Sequence, residues 1–461
     1  MNADLFETKD HDEDAYLLDE HLVDSILAAV EAGDSLRLEA LLEPLHPADI
    51  ADILEQIGPQ KRRSLLRLWH EGMEGDVLSE LDEGLREEVI RDLEPEVLAE
   101  AVRDLETDDV VDLVEDLDEA EQEVILDALP DADRVAVEKA LTYPEESAGR
   151  LMQREVVIAP EHWTVGETID YLRAQRDLPE QFYHVILVDP KMRPTGYVTL
   201  GKLLSSRRDV PLTEITEDSF RTIPVDQPEE DVAYAFNQYH LISAPVVDND
   251  GRLVGVITID DAMAVLDEEH EEDMLRLAGV SEEGSLSDSA IETSKRRLPW
   301  LLVNLVTAIL AATVIAQFQG AIARMVALAV LMPIVASMGG NAGTQALTVA
   351  VRALATKDLT PANVWRVIRR EVLVGLINGL VFALVIGIVG AFWFGIPLLG
   401  VVIACAMIIN LVIAGLVGVL VPVVLDKLGV DPALASGTFV TTVTDVIGFF
   451  AFLGLATVML L

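Results

Sequence analysis

One carboxylate stands apart from the other acids of the chain. Asp445 lies about nine residues into an apolar run, 436–461, and no other acid sits so deep in such a run. Placing a charged carboxylate in a bilayer costs at least ~2.5–3.5 kcal/mol, so its presence there marks a functional site by default. Thr441, Thr442 and Thr444 surround it, and no Lys or Arg at similar depth can neutralise it. A cation arriving through a pore could do so; a protonated, hydrogen-bonded Asp is the competing reading. A second run, 333–345 (PIVASMGGNAGTQ), puts a proline, three glycines and several amide or hydroxyl groups inside another apolar stretch. Small residues let helices approach closely, and polar groups in a membrane must find partners or line a wet cavity. Asn341 and Gln345, at i and i+4, share one helix face, which favours a cavity over a plain packing seam. Asn341, Gln345, Thr441 and Thr444 are therefore the pore-lining candidates around an ion at Asp445.

These residues need membrane-spanning helices to hold them. A span takes ~20 mostly apolar residues, and five stretches qualify: 300–319, 324–350, 371–395, 398–424 and 437–461. Lys295, Arg296, Arg297, Arg352, Lys357, Arg366, Arg369, Arg370 and Lys427 fall in loops on one side, and Arg324 alone falls on the other. The positive-inside rule then puts the amino-terminal region in the cytoplasm and the C-terminus outside, as a multi-pass protein of the cytoplasmic (inner) membrane. The first twenty residues are acidic and lack the apolar core of a secretory signal.

Charge is segregated along the chain. Residues 1–298 hold 74 of the 79 acids and a net charge of −48, while residues 299–461 carry +2. Such a region attracts cations and has no affinity for nucleic acid, whose phosphates are bound by Lys and Arg. A solvated acidic surface, as in proteins of salty habitats, is compatible with this. Cys405 is the single cysteine, which excludes a disulfide framework and a CxxC metal site.

The soluble region has two parts beyond an acidic tail (1–39). In 40–145, Leu45, Ile57, Trp69, Leu81, Leu93, Leu105, Leu117, Leu129 and Leu141 recur every 12 residues. Several precede turn residues, so each unit reads as a short amphipathic helix and a corner, and stacked units form a superhelical α-helical repeat. From 146 to 270 the pattern becomes β-α-β-β-α, twice (146–207 and 208–270). It resembles a tandem pair of CBS modules through 186–204 (ILVDPKMRPTGYVTLGKLL) and 245–261 (PVVDNDGRLVGVITIDD). CBS pairs often bind adenine nucleotides such as ATP, through a Gly, a Ser or Thr three residues on and an Asp three after that. Gly255, Thr258 and Asp261 fit, whereas the first half has Gly196 and Thr199 but Lys202 in place of the acid. Helix capping by Thr258 and Asp261 explains the same residues.

An acidic helical domain, a CBS pair, a connecting helix at 271–298 and a five-helix membrane domain at 299–461, with PIVASMGGNAGTQ and TTVTDVIGF in that order, resemble the MgtE family of magnesium channels and transporters. The resemblance spans nearly the whole chain. It implies a homodimer in the lipid bilayer with one central pore, Mg²⁺ as both substrate and regulator, and Asp445 as the acid that meets the ion. It also implies regulatory acids at Glu230, Asp261, Glu269, Glu272 and Asp273, and N-domain candidates at Asp108, Asp109 and Asp112. Ala264, His240 and Pro228 stand where the family has acids, which changes the number of regulatory sites.

Mg²⁺ keeps several waters and takes one or two carboxylates, so one Asp per subunit suits a hydrated ion in transit, whereas tight chelation would stop conduction. Without divalent ions the clustered carboxylates repel; Mg²⁺ bridging them selects a compact closed state. No HExxH, GxSxG, P-loop or paired intramembrane aspartate of a protease is present, so the reading is not an enzyme. The alternatives are a transporter or exchanger for another divalent cation (Mn²⁺ or Co²⁺) and a membrane-anchored CBS nucleotide or ion sensor.

Overall fold

The structure is a computed structural model and describes residues 20–69, 73–93, 95–103, 105–115, 117–175, 178–179, 181–217, 220–280 and 290–461. It separates into two compact units, and the boundary falls inside one helix, between Asp267 and Glu268.

Up to Ala140 the described chain is helical: α1 (Glu20–Ala32), α2 (Ser35–Leu42), α3 (Pro47–Gln56), α4 (Pro59–Leu68), α5 (Gly75–Ser79), α6 (Glu83–Asp92), α7 (Pro95–Ala101), α8 (Thr107–Glu115), α9 (Glu119–Ala128) and α10 (Asp131–Ala140). The 12-residue period marks the corners between these helices. Ile57, Trp69, Leu93 and Leu141 are C-caps, and all nine repeat residues pack in or against one continuous core. Proline at the first turn of α3 and α4 starts those helices where its missing N–H is not needed.

Long polar side chains close the corners from inside. The Arg62 guanidinium donates to the carbonyls of Leu54 and Ile57, Arg86 to that of Leu81, and the Gln122 amide to those of Val114 and Leu117. In each case the corner carbonyl lies five residues earlier. Arg62, 1% exposed, then pairs with Glu88 of the next hairpin, and Arg86 repeats this with Asp112. A buried guanidinium survives only when its donors are matched in this way.

Beyond α11 (Ala148–Leu151), two similar halves follow. The first is β1 (Ile158–Pro160), α12 (Val165–Ala174), β2 (His184–Val188), β3 (Pro194–Thr199) and α13 (Leu200–Ser205). The second, after a 3₁₀ turn at Leu212–Glu214, is β4 (Ile223–Pro224), α14 (Glu229–Tyr239), β5 (Ser243–Val247), β6 (Leu253–Thr258) and α15 (Ile259–Ala278). Each half has a three-stranded sheet, with the first strand parallel and the third antiparallel to the middle one. The hairpin at 248–252 turns on Gly251 at φ 75°, and its counterpart in the first half uses Met192 at φ 61°. In both, an aspartate (Asp248, Asp189) receives two backbone N–H groups of the turn.

The second unit holds α16 (Ala290–Gln317), α17 (Gln319–Arg324), α18 (Ala327–Ala355), α19 (Val364–Phe394), α20 (Pro397–Lys427) and α21 (Pro432–Leu460). Five of these helices are long and apolar enough to cross a membrane: Thr293–Gln317, Ala327–Ala355, Val364–Phe394, Pro397–Lys427 and Gly437–Leu460. At ~1.5 Å per residue, the 31-residue α19 and α20 are longer than a bilayer core, so their ends reach the interface or the helices tilt. Glycines bring α19 and α20 together. A Cβ at Gly375 would lie 2.4 Å from the Leu411 carbonyl oxygen, and one at Gly400 2.3 Å from that of Gly387. The connecting segment expected at 271–298 is the end of α15 and the start of α16; residues 281–289 lie outside the described residues.

Candidate functional site

In the membrane unit, α18 and α21 pack against each other and against α20, and they carry the predicted pore residues. Asn341 and Gln345 are exposed on one face of α18, with Thr344 and Thr348 continuing it. The hydroxyls of Thr344 and Thr348 donate to carbonyls one turn back, at Gly340 and Thr344, which leaves their oxygens free to accept. Asp445 is half-buried on α21 and makes no hydrogen bond or ion pair among the described residues. Thr441 is also half-buried and donates within its own helix. Thr444 departs from the expectation. It is fully buried, its hydroxyl donates to the Thr441 carbonyl, and its methyl group faces Gly343 of α18. It therefore lines a helix contact rather than an open face, because the small residue at 343 draws α21 in at that position.

A second polar feature was not singled out from the sequence. Asn410 of α20 is fully buried, and its Nδ2 donates to the Val335 carbonyl of α18 at 2.8 Å. The available signal was that Asn410 is the one amide in the 398–424 run.

In the first unit, the start of α8 and the start of α15 bring acids together. Asp108 is 8% exposed, and burial raises its pKa well above the usual range, with the charges of Asp261, Asp109 and Glu106 adding to the effect. Burial, then Asp261 and Glu106, push Asp109 up to about 7. Burial, then Glu155 and Asp261, push Glu106 up to about 6. Asp261 is raised by burial and, further down, by Asp260. Three of the predicted residues, Asp108, Asp109 and Asp261, thus meet, and Glu106, Glu155 and Asp260 join them. The acid run 106–109 and the pair 260–261 carried that signal, but the meeting itself depends on tertiary packing.

Asp112 has a partner within the repeat. It is the carboxylate paired with Arg86 at 2.6 Å, as Glu88 is with Arg62, and so belongs to the repeat's own framework. Glu230 is exposed in the first turn of α14. Among the described residues no three His, Cys, Asp or Glu side chains are arranged to hold a metal ion. Crowded acids with raised pKa values still have the chemistry to attract a cation, and Mg²⁺ asks for only one or two carboxylates with water completing its shell.

The last part of α15 belongs to the second unit. Arg276 pairs with Glu272 at 2.8 Å and with Asp431 at 2.9 Å. Asp431 is the N-cap of α21, and its other oxygen accepts from the Ala433 N–H. Leu277 packs beside Leu347, Val351, Val417, Ala433 and Val440. Burial, then the Asp431 charge, raise the Asp273 pKa. Glu269 is half-buried one turn before Asp273.

The nucleotide motif has local uses for its members. A Cβ at Gly255 would lie 2.7 Å from the Gln153 carbonyl oxygen, so glycine is required for the close pass of 152–153 along β6. Asp261 accepts from the Thr258 N–H at 3.1 Å and from its hydroxyl at 2.6 Å, which is the capping arrangement. Thr199 caps α13 in the first half by accepting from the Lys202 N–H, and Lys202 pairs with Glu217. A narrow cleft between the halves is lined by Gln153, Glu155, Tyr183, His184, Ser243 and Thr258.

Residues 332–455 match the family model MgtE, described as a divalent cation transporter; 45–146 match the MgtE intracellular N domain, and 148–209 and 212–268 match CBS domains. A protein of Thermus thermophilus named magnesium transporter MgtE is 33% identical over 449 residues, covering 96% of this chain and 99% of that protein. One of the same name from Enterococcus faecalis is 36% identical over 320 residues, covering 69% of this chain and 70% of that protein. A solved structure described as the cytosolic domain of the Mg²⁺ channel MgtE in complex with ATP is similar at 31% identity and a TM-score of 0.48, covering 53% of this chain and 99% of that one. With the Thermus thermophilus relative matched almost end to end, this chain belongs to the MgtE family of divalent cation transporters.

Proposed function

We propose that two copies of this chain form a Mg²⁺ channel or transporter of the cytoplasmic membrane that Mg²⁺ itself closes from the cytoplasmic side. The amino-terminal region is cytoplasmic and the C-terminus is outside. Its working parts are the tail (1–39), the N domain (40–145), the CBS pair (146–270), the connecting segment (271–298) and the membrane domain (299–461).

The observation that carries this reading is Asp445: a half-buried carboxylate on a spanning helix, with no partner among the described residues. Two such groups near a two-fold axis hold a hydrated Mg²⁺ through its waters. Oxygens of Asn341, Gln345 and Thr441 accept further hydrogen bonds from those waters. The test is Mg²⁺ flux into liposomes holding the purified protein, with and without a membrane potential, and with Mn²⁺ and Co²⁺ as competing ions. Wild-type flux in Asp445→Ala overturns the proposal.

Closure rests on the acids. With Asp108, Asp109, Glu106 and Asp261 crowded together, each ionisation raises the cost of the next, and a divalent ion relieves several at once. Glu269, Glu272 and Asp273 on α15 form the second regulatory group, and Glu230 an outlying one. Mg²⁺ then favours one arrangement of the soluble region by differential affinity, and α15 carries the change along the chain. Protease protection of residues 266–297 in Mg²⁺, compared with Na⁺ and K⁺ at matched ionic strength, tests this. Monovalent salt screens but does not bridge, so equal protection in all three rejects it. The cleft between the CBS halves is the position we propose for an adenine nucleotide, tested by ATP binding to wild type and Thr258→Val.

A further inference from the structure

We propose that Asn410 is a positioning residue for ion passage: its buried amide sets the spacing of the two helices that carry the pore residues. This rests on the reading of Asp445 as the ion site. The side chain projects from α20 into a notch made by two glycines on two different helices. A Cβ at Gly339 of α18 would lie 2.1 Å from Asn410 Nδ2, and a Cβ at Gly448 of α21 would lie 2.8 Å from it. Neither helix could approach so closely with any side chain at those positions. Gly339 is two residues before Asn341, and Gly448 is three after Asp445, which is about one turn of helix. The amide therefore sits between α18 and α21, on the buried face of α18 opposite Asn341 and about one turn along α21 from Asp445.

The energetics argue for a role beyond filling space. Asn410 is fully buried in a helix whose other core neighbours are apolar. Its Nδ2 is satisfied by the Val335 carbonyl, but its Oδ1 has no hydrogen-bond partner among the described residues. Leucine has the same branching, with two bulkier methyl groups in place of the amide atoms, and leaves no buried acceptor unmet. What leucine lacks is the bond that fixes α18 to α20 at Val335, two residues after Pro333. Proline cannot donate to the Ala329 carbonyl a turn earlier, so α18 lacks a bond in the turn before Pro333. The amide ties α18 to α20 in the turn that follows this gap.

The prediction concerns ion handling, not folding alone. An interhelical hydrogen bond in a bilayer is worth roughly 0.6–2 kcal/mol, or about 3–30-fold in an equilibrium constant. In liposomes, Asn410→Leu should raise the half-saturating Mg²⁺ concentration by about threefold or more, and should lower the ratio of Mg²⁺ to Mn²⁺ flux. Gly448→Ala, which pushes on the amide from the other side, should do the same. Gly454→Ala is the control, because a Cβ there meets nothing within 4 Å. Dimer yield and thermal stability, measured on each variant, separate misfolding from mispositioning. If Asn410→Leu and Gly448→Ala leave half-saturation and the ion ratio at the wild-type and Gly454→Ala values, or lower every flux by one common factor, the positioning role is overturned. Asp445→Asn in the same assay fails independently: normal flux there removes the ion-site reading and leaves the Asn410 measurements as they stand.

Discussion

Asp108 in α8 and Asp445 in α21 are both aspartates withdrawn from water, and their neighbours differ in kind. Asp108 is crowded by Asp109, Glu106 and Asp261, and the crowding adds to a pKa already raised by burial. Asp445 has Thr441, Thr442 and Thr444 beside it in sequence and no charged group close by. A crowd of carboxylates binds a cation with a gain that includes its own relieved repulsion, so it responds steeply to concentration. A lone carboxylate offers one modest attraction, which suits an ion that must leave again. Under the proposed function, the first region would decide when the protein is closed and the second what passes.

The sharpest break in the comparison is to remove each region in turn. Asp445→Ala should drop Mg²⁺ flux to that of empty liposomes while the dimer still assembles. Removing residues 1–140, which takes out α8, should leave flux intact in low Mg²⁺ and raise the Mg²⁺ needed for closure by about fivefold or more, the lower end of typical coupling energies. Closure at an unchanged concentration would place the sensor elsewhere.

A pH titration makes a smaller, directional test. Glu106 at about 6 and Asp109 at about 7 have folded-state pKa values above those of the unfolded chain, near 4. The folded unit therefore holds protons that the unfolded chain has lost, and stability falls as pH rises through this window. In Mg²⁺-free buffer the melting temperature should fall between pH 5 and pH 7.5, by a few degrees. Asp109→Asn should flatten the fall, and so should Mg²⁺ at millimolar levels. A slope unchanged by Asp109→Asn would remove the crowding argument.

Much of this was legible in the sequence, for identifiable reasons. The spans follow from apolar length, and the structure extends several of them because helices continue past the hydrocarbon core. The 12-residue period located the corners of the helical repeat, since a buried Leu, Ile or Trp is needed at each. The ion pair of Asp112 was not legible because the repeat's logic of one buried Arg and one carboxylate two units later needs Arg86 and Asp112 to be read together. Thr444 misled because a threonine near Asp445 can face either the open side or Gly343, and only packing decides. Asp108 and Asp261 are 153 positions apart in the chain, and no local pattern says that they meet.

A third arrangement of acids lies between the two compared above and gives the smallest predicted effect. At the end of α15, Glu272 and Asp431 share a resident cation, Arg276, and Asp273 feels the Asp431 charge. Where the α8 cluster has to recruit a cation from solution, this group already carries one. Arg276→Gln keeps a hydrogen-bonding side chain but removes the charge, which turns the group into a small copy of the α8 cluster. Partly exposed ion pairs are worth ~1 kcal/mol or less, so the melting temperature without Mg²⁺ should fall by only a few degrees. The rise on adding Mg²⁺ should then exceed the wild-type rise, because three acids are left with no arginine between them. Asp431→Asn should act in the opposite sense. Asparagine is as good an N-cap as aspartate, so α21 keeps its start, while the local charge falls and the Mg²⁺-dependent rise shrinks. Equal Mg²⁺ responses in wild type, Arg276→Gln and Asp431→Asn would show that acids at this end of α15 take no part in sensing, and the contrast between the α8 cluster and Asp445 would have no intermediate case.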